Sequence, residues 1–370
     1  MTTGVSFTTV DGGTSGTTSV PTTGSPEDYA FGLKTYLQLT FGWKLDDIVL
    51  EMYEPCKYVI MFDTAASKFI RGCSVVAATT DVEKETVQTE LKQFIRINQI
   101  AELDFNEVYS HYTITAIGAH AFQGCTSLVT LMIPDSVCAI GDHAFDRCTS
   151  LVTLTIPGSA ATTATTIGTC AFDSCVSLTT VTISDGVGET TIGACAFYNC
   201  TALTSVTIPG SVTTIGVNAF AGCSSLVTLT IPDSVATIGE SAFAHCTSLT
   251  TIVIPESVTT ICQFAFGRCT SLTTVVIPYS VTAIGAYAFT GCKSLTTVVI
   301  PDNVTAIGDN AFAGCTSLTA VAIPDSVTAI GNYAFARCTS LSTVVIPDGV
   351  TAIGGGAFYN CASLVGHGKC

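Results

Sequence analysis

Apolar side chains recur with a fixed period over roughly the last two thirds of the chain. A Phe returns at a constant interval, except for two longer steps on either side of Phe172, and a Cys follows three positions after each Phe. The Phe positions are Phe122, Phe145, Phe172, Phe197, Phe220, Phe243, Phe266, Phe289, Phe312, Phe335 and Phe358. This regularity predicts a solenoid of eleven stacked coils, because one coil alone buries little apolar surface whereas stacking encloses a continuous core.

One unit, residues 238–260, indicates how each coil is built. Its first predicted strand carries apolar side chains at Leu249, Ile252 and Ile254. Pro255 has no backbone N–H to donate and therefore ends that strand. A second short strand is predicted around Val258 and Ile261, and a helical turn that contains Ala242 and Phe243 is expected to close the coil.

A Gly follows the Ile at the end of the second predicted strand in ten of the eleven units, and Cys262 replaces it once. If this position required a positive φ, a Cys there would be costly. Close packing against the neighbouring coil is therefore the predicted reason for the Gly.

The N-terminal part of the chain, residues 1–110, lacks the repeat and divides into two zones. Residues 1–25 are rich in Thr, Ser and Gly, which predicts a disordered tail. Residues 26–110 predict a small α+β domain that caps the solenoid over residues 111–370. One predicted helix begins at Ser25–Asp28, and a second spans residues 81–97. Its predicted strands are residues 48–52, 57–62 and, more weakly patterned, 74–78.

The repeated pattern I-G-x-x-A-F-x-x-C-x-S-L-T-x-V-x-I-P-x-S-V-T-x resembles the BspA-like branch of the leucine-rich-repeat families, over about residues 114–364. The resemblance implies a binding or adhesive protein, often at a cell surface, and it carries over no catalytic residue. The expected fold class is an α/β repeat solenoid, a leucine-rich-repeat-like stack of coils with a parallel β-sheet. The N-terminal region resembles no family that we recognise.

Composition and charge exclude several classes of partner. Charged residues make up only 11% of the chain and the formal net charge is −15, which argues against nucleic acid and anionic membrane surfaces. No apolar run approaches the ~18 residues that insertion in a membrane requires. The segment at residues 1–26 lacks both the basic region and the apolar region that a secretory signal contains, which favours an intracellular protein. The family resemblance favours the cell surface, so the compartment stays open.

Known catalytic motifs are absent from the sequence, so we expect no enzyme activity and no cofactor. The Cys that recurs once per coil is predicted to be an inert, buried thiol rather than part of a disulfide framework.

A second column begins two residues before each Phe, with His120, His143, Cys170 and Cys195 in four successive coils. These four are weak candidates for metal binding, because an adjacent pair could bind a soft metal, although all four cannot surround one ion. A disulfide between Cys170 and Cys195 is a second possibility, and ordinary variation at an exposed position is a third.

Three further columns offer candidate binding surfaces. The first consists of aromatic residues at the position two residues before a repeat Phe. Aromatic side chains are common anchors of protein interfaces, and this column contains Phe264, Tyr287 and Tyr333. Threonines flank the first predicted strand, among them Thr228, Thr251, Thr274 and Thr297. Acidic residues follow the Pro that ends that strand: Asp135, Asp185, Asp233, Glu256, Asp302, Asp325 and Asp348. Turn chemistry explains the acids better than Ca²⁺ binding does, since Gly and Tyr interrupt them.

The first functional hypothesis is a non-catalytic interaction or adhesion protein that presents its surface to a protein or glycan partner. The alternative is a structural, self-assembling scaffold, because an uncapped last coil would invite end-to-end association. Ice binding by the regular threonine columns is a third option.

Overall fold

The computed structural model describes residues 116–158 and 164–364 in full, together with six strands that precede Ala116. Five of these strands form antiparallel sheets: Thr2–Thr8 with Ser15–Pro21, and Ile48–Met52 with Tyr58–Asp63 and Lys68–Ser74. The predicted strands at residues 48–52 and 57–62 are thus confirmed to within one residue. The described strand Lys68–Ser74 includes the first residue of the one predicted at residues 74–78, and the rest of that prediction lies outside the described residues. Both predicted helices lie outside the described residues, and the domain boundaries stay a prediction.

The solenoid contains two stacks of short parallel strands. The first strand stack comprises Glu102–Asp104, Thr130–Met132, Thr153–Ile156, Thr180–Ile183 and Ser205–Thr207, followed by Thr228–Thr230, Thr251–Val253, Thr274–Val276, Thr297–Val299, Ala320–Ala322 and Thr343–Val345. The stack consists of two sheets, one ending at Ser205–Thr207 and the next beginning at Thr228–Thr230. Within each sheet equivalent residues pair from coil to coil, as Thr251 does with Thr274 and Thr274 with Thr297. Each residue type therefore forms a straight column.

The second strand stack is formed by the short strand that follows the first strand of each coil along the chain. It comprises Ala116–Ile117, Ala139–Ile140, Thr165–Ile167, Thr190–Ile192, Val212–Ile215 and Thr237–Ile238, followed by Thr260–Ile261, Ala283–Ile284, Ala306–Ile307, Ala329–Ile330 and Ala352–Ile353. The second short strand predicted from Val258 and Ile261 is confirmed, and it covers Thr260–Ile261.

A continuous file of phenylalanine rings fills the core. Neighbouring rings from Phe122 to Phe358 stack with centroids 5.2 to 5.6 Å apart and planes within 14° of parallel. All but the last ring are among the largest fully buried side chains. The eleven predicted coils and their shared interior are confirmed.

The third side of each coil is built of turns, so the α/β class and the predicted helical turn at Ala242 and Phe243 are wrong. The amide of Phe243 donates to the carbonyl of Ala265 in the next coil (2.9 Å) rather than to a carbonyl four residues earlier. Ser241 and His245, on either side, have φ of 55° and 61°, which a right-handed helix cannot contain. The described residues contain no helix, and hence none that could cross a membrane.

The predicted reason for the repeated Gly, close packing, is confirmed. A Cβ added to Gly239 would lie 2.6 Å from the carbonyl carbon of Gly216 and 2.6 Å from the amide nitrogen of Val217. Both contacts are backbone atoms of the preceding coil, which cannot rotate away.

Replacing this Gly is therefore expected to force the coils apart. Gly239→Ala should lower the free energy of unfolding by about 1–3 kcal/mol, since overpacking a rigid interior costs that much. Urea denaturation monitored by circular dichroism measures the change. Gly210→Ala is the matched control, because the nearest atom to its added Cβ is 4.0 Å away, and we expect a change within about 0.5 kcal/mol there. Equal losses in the two variants would contradict the packing explanation.

Candidate functional site

The repeat cysteines are part of the core and not of a reactive site. From Cys148 to Cys361, each Sγ–H donates to the carbonyl oxygen of the Phe one coil earlier, at 3.1 to 3.3 Å. Burial raises the pKa of Cys200, Cys269 and Cys338 to about 12. No cysteine of the fully described residues forms a disulfide. These thiols are protonated hydrogen-bond donors at neutral pH.

We define the turn face as the residues from two before to two after each core Phe. On this face the predicted residues His120, His143, Cys170 and Cys195 lie one above another in successive coils. The rings of His120 and His143 stack with centroids 4.9 Å apart and planes 4° apart. Cys170 and Cys195 share a side-chain hydrogen bond, and burial together with the neighbouring Cys195 raises the pKa of Cys170 to about 12. The column thus forms two adjacent pairs, and within the described ranges no three His, Cys, Asp or Glu side chains converge on one point.

The predicted aromatic residues form partly exposed clusters further along the turn face. Phe264 lies between His245 and Tyr287, with ring centroids 5.9 and 6.4 Å apart respectively. Tyr333 meets Tyr359 edge to face at 6.4 Å. Phe264, Tyr287 and Tyr333 all have φ between 54° and 58°, a conformation that costs a bulky residue ~1–2 kcal/mol. The clusters therefore bear large side chains at positions where Gly or Asn would cost less.

Arginines border these aromatic clusters. Arg268 and Arg337 lie two residues after a core Phe, with φ of 62° and 60°, and both are exposed. Together with Tyr359 they are functional candidates that the sequence reasoning missed. Their spacing of four residues from the aromatic column was visible, and a helical turn would also have placed the two positions on one face.

The predicted threonines lie on a different side of the coil. Thr228, Thr251, Thr274 and Thr297 are exposed on the first strand stack. The last three share this face with Val253, Val276 and Val299, of which Val299 is 77% exposed. The structure therefore separates the threonine column from the aromatic clusters instead of joining them in one site.

The acidic column makes backbone contacts. A carboxylate oxygen of Asp185 accepts from the amide of Ser211 at 3.0 Å, and one of Glu256 accepts from the amide of Ser280 at 3.3 Å. Each of these acids caps a turn of the following coil, which supports the interpretation of the column as turn chemistry.

One buried carboxylate was not predicted. Asp146 is 4% exposed and lies on the turn face one residue after Phe145. Its Oδ2 accepts from Nε2 of Gln123 at 2.8 Å and lies 3.5 Å from Nδ1 of His143. The signal available in the sequence was the polar run Gln123, Asp146 and Asp173 at a position that holds Ala in several later coils.

Most of the repeat region matches one family model. Residues 93–189, 165–295 and 259–366 match the model described as the BspA type leucine rich repeat region. No curated protein matches the chain significantly.

Several solved structures are similar to the chain. A leucine rich cell surface protein from Faecalibacterium prausnitzii A2-165 is 31% identical over 69% of this chain and 82% of its own, with a TM-score of 0.41. A leucine-rich repeat protein from Bacteroides ovatus ATCC 8483 is 24% identical over 88% and 93%, with a TM-score of 0.40. The T. pallidum leucine rich repeat protein is 29% identical over 50% and 78%, with a TM-score of 0.36.

Proposed function

Because this chain belongs to the BspA-type leucine-rich-repeat family, we propose that it is a non-catalytic binding protein whose turn face engages a protein partner. Repeat proteins of this family generally act in protein interactions. The observation that carries the proposal is the set of half-exposed aromatic residues, chiefly Tyr287 and Tyr333, held in a costly backbone conformation. The same left-handed conformation recurs two residues before every core Phe, from His120 to Gly356, so the fold imposes it and Tyr287 and Tyr333 occupy it at a cost.

The side chains of this surface are those that dominate protein interfaces. Tyr, Trp and Arg are the commonest residues whose truncation costs binding energy, and the aromatic clusters with Arg268 and Arg337 supply two of the three. Their ring contacts restrict the aromatic side chains before binding, so less conformational entropy is lost on association.

Charge indicates the chemistry of the partner. The chain carries a net charge of −15, yet the exposed Arg268 and Arg337 lie on the same turn face as the aromatic clusters. A partner surface that combines acidic and apolar side chains would match this local basic and aromatic character. A glycan partner would use the same rings for stacking, and the experiment below distinguishes the two.

The test compares three versions of the full chain as immobilised bait for proteins from the organism's own cells and surroundings. The versions are the wild type, the double variant Tyr287→Ala/Tyr333→Ala and the control Thr251→Ala/Thr297→Ala, which alters the first strand stack only. We expect one protein to bind the wild type and the control equally. Its affinity for the tyrosine variant, measured with the purified partner by calorimetry, should fall by about 30-fold or more, as for a residue worth ~2 kcal/mol.

Three results would contradict the proposal. If the partner binds the tyrosine variant but not the threonine variant, the binding surface is the first strand stack. Retention that is lost when the ligand's sugars are removed would indicate a glycan partner. Equal binding to all three versions would exclude both surfaces. Thermal melting of each variant shows that it is folded.

A further inference from the structure

The turn face of the second and third coils contains a polar cluster, defined as His143, Asp146, Cys170 and Asp173. Asp146 is the only Asp or Glu buried in the fully described ranges, at 4% exposure. Its Oδ1 has no hydrogen-bond partner, and neither has Nδ1 of His143. A buried polar atom without a partner costs free energy, so this arrangement is incomplete as it stands.

The protein's own cations do not complete it. Nε of Arg147 lies 3.8 Å from Oδ1 of Asp146, beyond hydrogen-bond distance, and its side chain is 74% exposed to solvent. The one strong contact of Asp146 is the amide of Gln123, which is neutral and reaches only Oδ2.

The spacing of the two nearest donors fits a metal ion better than a hydrogen bond. Nδ1 of His143 and Oδ2 of Asp146 are 3.5 Å apart, longer than a good N–H···O bond. Two ligands at zinc's usual bond length of about 2.0–2.1 Å in tetrahedral geometry are separated by about 3.4 Å. Imidazole nitrogen and carboxylate oxygen are both ordinary ligands of that ion.

The next coil places two more donors beside this pair. Cys170 and Asp173 occupy the positions that correspond to His143 and Asp146. A thiolate and a carboxylate are both ordinary ligands of zinc-class ions.

We propose that His143 and Asp146 bind one divalent metal ion of the zinc class, with Cys170 of the next coil as the third ligand. The three donors do not yet converge within the described part of the chain, so Cys170 must turn toward the ion. Cys170 and the ring of His143 are partly exposed, whereas Asp146 and Nδ1 of His143 are buried. On binding, the thiol releases its proton to water and coordinates as thiolate.

The preceding coil provides a matched control. His120 and Gln123 have the same three-residue spacing, and Nδ1 of His120 lies 3.2 Å from Oε1 of Gln123. An amide replaces the carboxylate there, so this pair has the histidine but lacks the anionic ligand. The proposal therefore predicts that His143, and not His120, determines metal affinity.

The experiment titrates the reduced full chain with Zn²⁺ by calorimetry and with Co²⁺ by absorption spectroscopy. We expect one ion whose affinity falls at least ~10-fold in His143→Ala, Asp146→Asn and Cys170→Ser, while His120→Ala binds like the wild type. The Co²⁺ complex should show a thiolate charge-transfer band that Cys170→Ser removes. Thermal melting without metal confirms that each variant folds.

Unchanged affinity in Asp146→Asn would overturn the proposal, and so would an equal loss in His120→Ala, which would indicate adventitious surface histidines. Failure of the wild type to bind Zn²⁺ would overturn it as well. The site lies in other coils than Tyr287 and Tyr333, so partner binding can fail or succeed independently of the metal.

Discussion

Raising the pH through about 9 to 11 is expected to unfold the solenoid cooperatively. The cause is the file of core thiols, whose pKa burial raises above the ordinary value of 9.0. The thiols with a raised pKa are Cys175, Cys200, Cys223, Cys246, Cys269, Cys292, Cys315, Cys338 and Cys361. The folded chain keeps these protons at a pH where the unfolded chain releases them.

The direction and size of the effect follow from linkage. Above about pH 9 the unfolded state binds fewer protons than the folded state, so stability present below that pH is lost as the pH rises. Each fully buried thiol lowers the free energy of unfolding by about 1.4 kcal/mol per pH unit in this window. Several thiols acting together would exhaust a typical stability of about 5–15 kcal/mol within one or two pH units.

Urea denaturation of the reduced protein between pH 7 and 11 measures this slope. Cys246→Ala should lessen the slope by about one proton, that is by ~1.4 kcal/mol per pH unit. Cys138→Ala removes a half-exposed thiol outside the core column and serves as the matched control. A free energy of unfolding that stays level from pH 8 to 11 would show that the core thiols are not buried as the structure has them.

The second large effect is expected from opening a gap in the phenylalanine file. The ring of Phe243 is fully buried and stacks on Phe220 and Phe266 with centroids 5.5 and 5.6 Å apart. Phe243→Ala should lower the free energy of unfolding by about 3–5 kcal/mol, because it removes a buried ring and leaves a cavity that rigid neighbouring coils cannot close.

Phe264→Ala is the control for this prediction, since it removes the same side chain from the turn face. Phe264 is partly exposed and has a φ of 56°, so we expect its loss to cost less than about 1 kcal/mol. Urea denaturation of both variants at neutral pH measures the difference. Similar losses in the two would mean that the core file does not dominate the stability of the stack.

The periodicity of the chain was enough to predict the repeat, the number of coils and the positions of the two strands in each coil. Identical coils can stack only with equivalent residues in line, so the constant interval between core phenylalanines places Phe220, Phe243 and Phe266 in one file. The close packing at Gly239 was predictable for a related reason. A single Cys262 in the same column showed that backbone conformation did not demand Gly.

The turns were missed although part of their signal is present in the sequence. The position two residues after the core Phe has positive φ and holds Gly or Asn in six coils, for example Gly124, Asn199 and Gly222. Other coils hold residues there that do not reveal the turn. Ser241 and His245 give no sign of positive φ, and the short spacing of Ala242 and Phe243 is as compatible with a helix as with a turn. Amide hydrogen bonds to the next coil decide between them. Those bonds exist only after stacking.

Which polar residues contact one another also depends on the three-dimensional path of the coils. Asp146 was unremarked in the sequence, since its burial and its 3.5 Å approach to His143 depend on the turn between them. The Sγ–H of Cys246 was predicted to be inert, but its carbonyl partner belongs to Phe220 of the preceding coil. In each case the fold of the backbone brings the two groups together. The periodicity of the sequence does not specify that fold at the level of single contacts.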